Sequence, residues 1–84
     1  MQIAIHPHAA ARIQERGASE EEVQATIRSG EQFPAKHGRQ GFRKNFQFDR
    51  QWQGRLYQNK QLEVYAVEEL KGRWLVITVI VKYF

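Results

Sequence analysis

The last eleven residues, W-L-V-I-T-V-I-V-K-Y-F from Trp74 to Phe84, constrain the fold more than any other stretch. They read as a strand that is apolar on both faces, and such a strand needs cover on both sides. Within its apolar stretch, Trp74 to Val81, Thr78 stands out as a polar side chain. Everything before it must therefore supply at least one covering layer.

That layer comes from the N-terminal third, where the hydrophobic period is helical. Pro7 suits the first turn of a helix, since its missing N–H costs nothing there. A first helix over Pro7–Arg16 would bury Ala9, Ala10 and Ile13, with Gly17 as terminator. Ser19 and Glu22 form a capping box, and Glu20, Glu21 and Glu22 complement the helix dipole. A second helix over Glu20–Ser29 follows, burying Val23 and Ile27 and stopping at Gly30. Ahead of both, Gln2–Ile5 reads as a short strand or an extended lead-in.

Glu31–Gly41, with Pro34, Gly38 and Gly41 around Lys36, His37 and Arg39, reads as a loop. The period then becomes two. Phe42, Lys44, Phe46 and Phe48 share one side of a strand, and Arg43, Asn45 and Gln47 the other. Asp49–Gly54 is a turn and Arg55–Glu69 a second extended segment with a bulge near Asn59–Lys60. Leu70–Arg73 closes the hairpin to the last strand. The expected fold is α+β: two N-terminal helices packed on one face of a three- to four-stranded antiparallel sheet in meander order. Helices from one end of the chain cover one face only. The other face, apolar at its centre, must meet the basic loop, a ligand, or a second copy of the chain in a homodimer.

Eighty-four residues support one domain, residues 1–84. The absence of cysteine excludes a disulfide framework and a thiol nucleophile, and fits a cytoplasmic location. No apolar run approaches the roughly 20 residues that cross a bilayer, so no membrane partner is expected. The start of the chain lacks the features of a signal peptide. Charge is unevenly spread. Residues 1–31 carry three Arg against five Glu, a net of −2; residues 32–60 carry seven Lys and Arg against Asp49, a net of +6; residues 61–84 balance. The basic third also holds Phe42, Phe46, Phe48, Trp52 and Tyr57. Cations interleaved with aromatics suit RNA or single-stranded nucleic acid, and equally suit a sheet edge guarded against strand addition.

On the first helix His8, Arg12 and Arg16 are spaced by four and share a face. A neutral imidazole can act as general base near neutral pH, and an arginine one turn on can hold a phosphate by two parallel N–H bonds. The same residues can instead make a helix-start hydrogen bond and a salt bridge to Glu15 or to the second helix. Lys60 at the suspected bulge could neutralise charge on a phosphate, or be a solvated edge lysine. Thr78 could donate to a phosphate oxygen, or simply suit a strand. Arg16, Arg43 and Lys44, with Tyr57 among the aromatics, are candidates for RNA contact. His6, His8 and His37 match no compact metal-ligand spacing, so neither a metal nor another cofactor is expected.

His8 to Val23, H-A-A-A-R-I-Q-E-R-G-A-S-E-E-E-V, resembles the opening of a small bacterial family catalogued as domain of unknown function 4258. Y-Q-N-K-Q-L-E-V from Tyr57 and V-I-T-V from Val76 resemble its later strands. Ala18 stands where an isoleucine is more usual in that family. The family is similar to the toxin-like superfamily of barnase, EndoU, colicin nucleases and RelE, in which the open face of the sheet handles RNA. The resemblance implies a metal-independent ribonuclease or ribonuclease-like toxin, with an antitoxin or immunity protein as partner. By position His8, Arg12, Lys60 and Thr78 would line its site, with attack of the ribose 2′-hydroxyl on the adjacent phosphate. A non-catalytic nucleic-acid-binding or protein-interaction module is the alternative.

Overall fold

The computed structural model describes residues 1–84. The chain runs β1 (Gln2–Ile5), α1 (Pro7–Glu15), α2 (Glu20–Ser29), β2 (Glu31–Pro34), β3 (Gln40–Trp52), β4 (Arg55–Leu70) and β5 (Arg73–Tyr83). The five strands form one sheet in the order β1-β5-β4-β3-β2. Both helices lie on one of its faces, α1 against β5 and α2 against β4 and β3. The α+β class and the two-helix layer agree with the sequence. The sheet differs, being five-stranded and mixed instead of three- to four-stranded and antiparallel.

Two strands account for the difference. Gln2–Ile5 pairs in parallel with Arg73–Val76, joining the first strand to the last. Such a pairing leaves no local trace in the sequence, because two helices and three strands intervene. Glu31–Pro34, expected as loop, pairs antiparallel with Gln40–Arg43. Their hairpin closes through His37 (φ 62°) and Gly38 (φ 70°), with Arg39 N–H donating to the Lys36 carbonyl at 3.3 Å. Two successive left-handed residues match the twist of a two-residue hairpin. Histidine tolerates that region better than most residues.

A bulge does lie beside Asn59, but its extra residue is in the partner strand. Asn59 and Lys60 are regularly paired with Gln47 and Phe46. The irregularity lies opposite, where Phe48 and Asp49 (φ 51°) face a single residue of β4. A second bulge puts Ile77 as an extra residue in β5 beside Thr78, which opposes Tyr65. The tight turn between β3 and β4 is Gln53–Gly54, later than the expected Asp49–Gly54, because β3 continues to Trp52.

The core lies between helices and sheet. Ala9 and Ile13 from α1 and Val23 and Ile27 from α2 meet Phe42, Leu62, Val64, Ala66, Val76 and Val79. Alternation along β4 sends Leu62, Val64 and Ala66 inward, and Glu63 and Tyr65 to the face without helices. No helix is long and apolar enough to cross a membrane.

Candidate functional site: the cleft between α1 and β5

Helix α1 begins with His6 as N-cap, its imidazole Nδ1 accepting the His8 N–H at 3.2 Å. The His6 and His8 rings stack with centroids 5.6 Å apart. The fourfold spacing then carries Arg12 and Arg16 down the same face. Small Ala9, 2% exposed, lets the helix approach β5 closely. Strand β1 ends at Ile5, and His6 N–H donates to the Val76 carbonyl at 3.1 Å. Past that point Arg16 Nη1 donates to the Val79 carbonyl of β5. Between those two contacts lies a cleft of about 260 Å³, lined by His8, Arg12, Arg16 and the bulged Ile77–Thr78. No carboxylate lines it, and Arg12 forms no ion pair. His8 and Arg12 are exposed, ready for a ligand from solvent. Chemically the cleft offers an imidazole and a free guanidinium to an anion, while the Thr78 side chain, cross-strand from Tyr65, lies on the open face instead of beside them.

Lys60 does not join them. It is 4% exposed and points into the helix layer, donating to the Gly17 carbonyl at 3.0 Å and to Glu22 Oε1 at 3.0 Å. Its ammonium lies 2.9 Å from Glu22 Oε2 and 5.1 Å from the centre of the Phe48 ring. Glu22 Oε1 also accepts the Ser19 N–H, so Lys60 is wired into the capping box of α2. Gly17 is at the opposite end of α1 from His8, about 13 Å along a helix axis at 1.5 Å per residue. The expected position at a bulge, re-aimed toward a phosphate, is therefore replaced by a regular strand position buried under the α1–α2 turn.

The same turn rests on an aromatic wall. Trp52 stacks on Tyr83 at 5.1 Å, and Phe48 and Tyr57 lie 5.2 Å and 5.6 Å from the same ring. Tyr83 donates to the Arg16 carbonyl at 2.6 Å. Burial, reinforced by the Glu22 charge, raises the pKa of the Tyr83 hydroxyl above its usual 10.0. Tyr57 thus belongs to a packed cluster, with the Arg55 guanidinium 5.8 Å from its ring centre.

The remaining candidates for RNA contact are scattered. Arg43 sits on the open face, 3.1 Å from Glu63 and 3.3 Å from Glu31, with its guanidinium 4.4 Å from the centre of the Phe33 ring. Glu63 is buried there with Lys82 3.3 Å away. Burial alone would raise its pKa, but hydrogen bonds and charge from Arg43 and Lys82 together outweigh that and lower it. Lys44 is on the helix side of β3, its ammonium 5.9 Å from the Phe46 ring centre. Arg16, Arg43, Lys44 and Tyr57 do not form one patch.

A second concavity was not singled out from the sequence. The β2–β3 turn borders an open groove of about 600 Å³ on this face, lined by Phe33, Lys36, His37, Arg39, Tyr65 and Thr78. Its signal was the K-H-G-R cluster, visible as charge but not as a groove. Thr78 lines both concavities.

These features define a small α+β domain with a cationic cleft at a sheet edge. No family model matches the chain, and no curated protein or solved structure matches it.

Proposed function

We propose that the protein is a small ribonuclease of the RelE/barnase-like toxin type, which holds RNA in the α1–β5 cleft and cleaves it without a metal. The observation that carries this is the gathering of His8, Arg12 and Arg16 along one cleft free of carboxylates. In the proposed reaction His8 takes the proton of the ribose 2′-hydroxyl as its oxygen bonds to phosphorus. The bond from phosphorus to the 5′-oxygen breaks, and the proton passes to that oxygen. The products are a 2′,3′-cyclic phosphate and a 5′-hydroxyl end. Arg12 holds the phosphate and stabilises the charge of the pentacovalent state. Lys60 has no part in this scheme, because its ammonium is committed to Glu22 and Gly17.

The basic middle third adds non-specific attraction for the RNA backbone. An acidic antitoxin or immunity protein would complement the same charge. A second reading, binding of RNA without cleavage, gains from the sequestration of Lys60, which leaves Arg12 to counter the phosphorane largely alone. Incubation of the purified protein with labelled single-stranded RNA in EDTA separates the two. Fragments ending in cyclic phosphate support cleavage. Salt-sensitive binding with intact RNA supports the second reading, and no binding at low salt overturns both.

A further inference from the structure

We propose that the groove between the β2–β3 turn and the open sheet face is a nucleotide-binding site. It seats a nucleoside monophosphate with its base against Phe33 and Tyr65 and its phosphate between Lys36 and Arg39. The inference goes beyond the cleavage scheme and stands whether or not RNA is cut.

The aromatic wall is fixed before any ligand arrives. Phe33 and Tyr65 meet edge to face, their centroids 5.8 Å apart at 86°. The Phe33 ring lies directly over Gly41, where any side chain would collide with it. The Arg43 guanidinium, 4.4 Å from the ring centre, holds its position further. Phe33 and Tyr65 are both only half-buried, so the wall keeps contact with solvent. Stacking on such surfaces tolerates any base.

The rim has the complementary charge. Lys36, His37 and Arg39 line the groove and no carboxylate does. None of the three enters a salt bridge. The two acids beside the wall, Glu63 and Glu31, are matched by two cations, Arg43 bridging both and Lys82 on Glu63. An incoming phosphate therefore meets net positive charge. His37, at φ 62°, and Gly38, at φ 70°, form the tip of the turn that carries this rim. A volume of about 600 Å³ is within the range that small-molecule sites occupy, roughly 300–1,000 Å³. A stacking wall paired with an anion clamp selects a ligand that has both parts. A sugar phosphate has only one and a nucleoside only the other. The unit can be a free nucleotide or one residue of an RNA. In the second case Thr78, shared by groove and cleft, sets the direction in which the strand continues.

The test is a titration followed by amide and side-chain NMR shifts. The probes are AMP, UMP, ribose 5-phosphate, adenosine, and a 2′-O-methyl hexaribonucleotide that cannot undergo 2′-attack. Shifts confined to residues 33–41, Tyr65 and Thr78, with AMP or UMP binding at least about tenfold tighter than ribose 5-phosphate and adenosine, support the site. The hexanucleotide binding much tighter than AMP assigns it to RNA, and equal affinity assigns it to free nucleotides. The Lys36→Ala/Arg39→Ala variant, altered only in the turn, should lose at least tenfold in nucleotide affinity while keeping the wild-type spectrum elsewhere. Ribose 5-phosphate binding as well as AMP, shifts centred elsewhere, or no shifts would overturn the proposal. RNA cleavage without nucleotide shifts in the groove would overturn it while leaving the cleavage scheme intact.

Discussion

Replacing Lys60 by methionine removes the ammonium and keeps most of the apolar stem, so it isolates what the charge does. The ammonium makes two charge-assisted hydrogen bonds at 3.0 Å, to Gly17 and Glu22, from a position 4% exposed. Removing one partner of a buried pair costs about 3–5 kcal/mol. Glu22 keeps 23% of its side-chain surface and its bond from Ser19 N–H, so the lower end applies, about 3 kcal/mol. In a domain of this size that lowers the melting temperature by about 12–24 °C. Urea denaturation of wild type, Lys60→Met, Glu22→Gln and the double variant gives the cost and the coupling between the two residues, expected at about 1–3 kcal/mol. RNA cleavage, measured at a temperature where Lys60→Met remains folded, should be within a few-fold of wild type. A variant of unchanged stability that no longer acts on RNA would refute the structural role and return Lys60 to the site.

Gly17 has φ 79°, and a methyl there would strike the Tyr83 hydroxyl and the Trp52 ring. Gly17→Ala should cost about 2–4 kcal/mol in urea unfolding, combining left-handed strain with the displaced aromatic wall. Glu63 has a folded pKa below its ordinary 4.5, so its contribution is present above that value and is lost as pH falls through the folded value. Stability measured against pH should fall in this acid range for wild type, and more shallowly for Glu63→Gln. The Tyr83 shift has the opposite sense: its contribution is full below pH 10.0 and is lost as pH rises through the higher folded value. Tyr83→Phe should remove that alkaline loss, read by the same unfolding series.

Helix α2 was legible in full because its signals are local: Ser19, Glu22, the glutamates of the first turn and Gly30 all lie within or beside the element they define. The pairing of Trp52 with Arg55 was hidden by Asp49, which looks like a turn residue but sits in a bulge of a continuing strand. The β2–β3 hairpin was obscured by Pro34 and by a turn that places histidine, not asparagine, in the left-handed region. Non-local contacts were out of reach. Lys60 and Glu22 are 38 positions apart, and nothing near Lys60 indicates that it faces a helix start. The α1 stripe was legible from fourfold spacing, and its placement along a cleft required the packing of α1 on β5. The open-face groove required the fold of the turn beside Tyr65.

The most direct test of the cleft as the reacting centre is single-turnover cleavage of a short RNA in EDTA by wild type and His8→Ala, with RNA affinity measured in parallel. His8 is exposed and its imidazole makes no buried contact, so the variant should fold as wild type does. The account predicts cyclic-phosphate products from wild type, a rate at least about 100-fold lower for His8→Ala, and nearly equal affinity. Equal cleavage rates for the two proteins, or no cleavage by wild type, would contradict it.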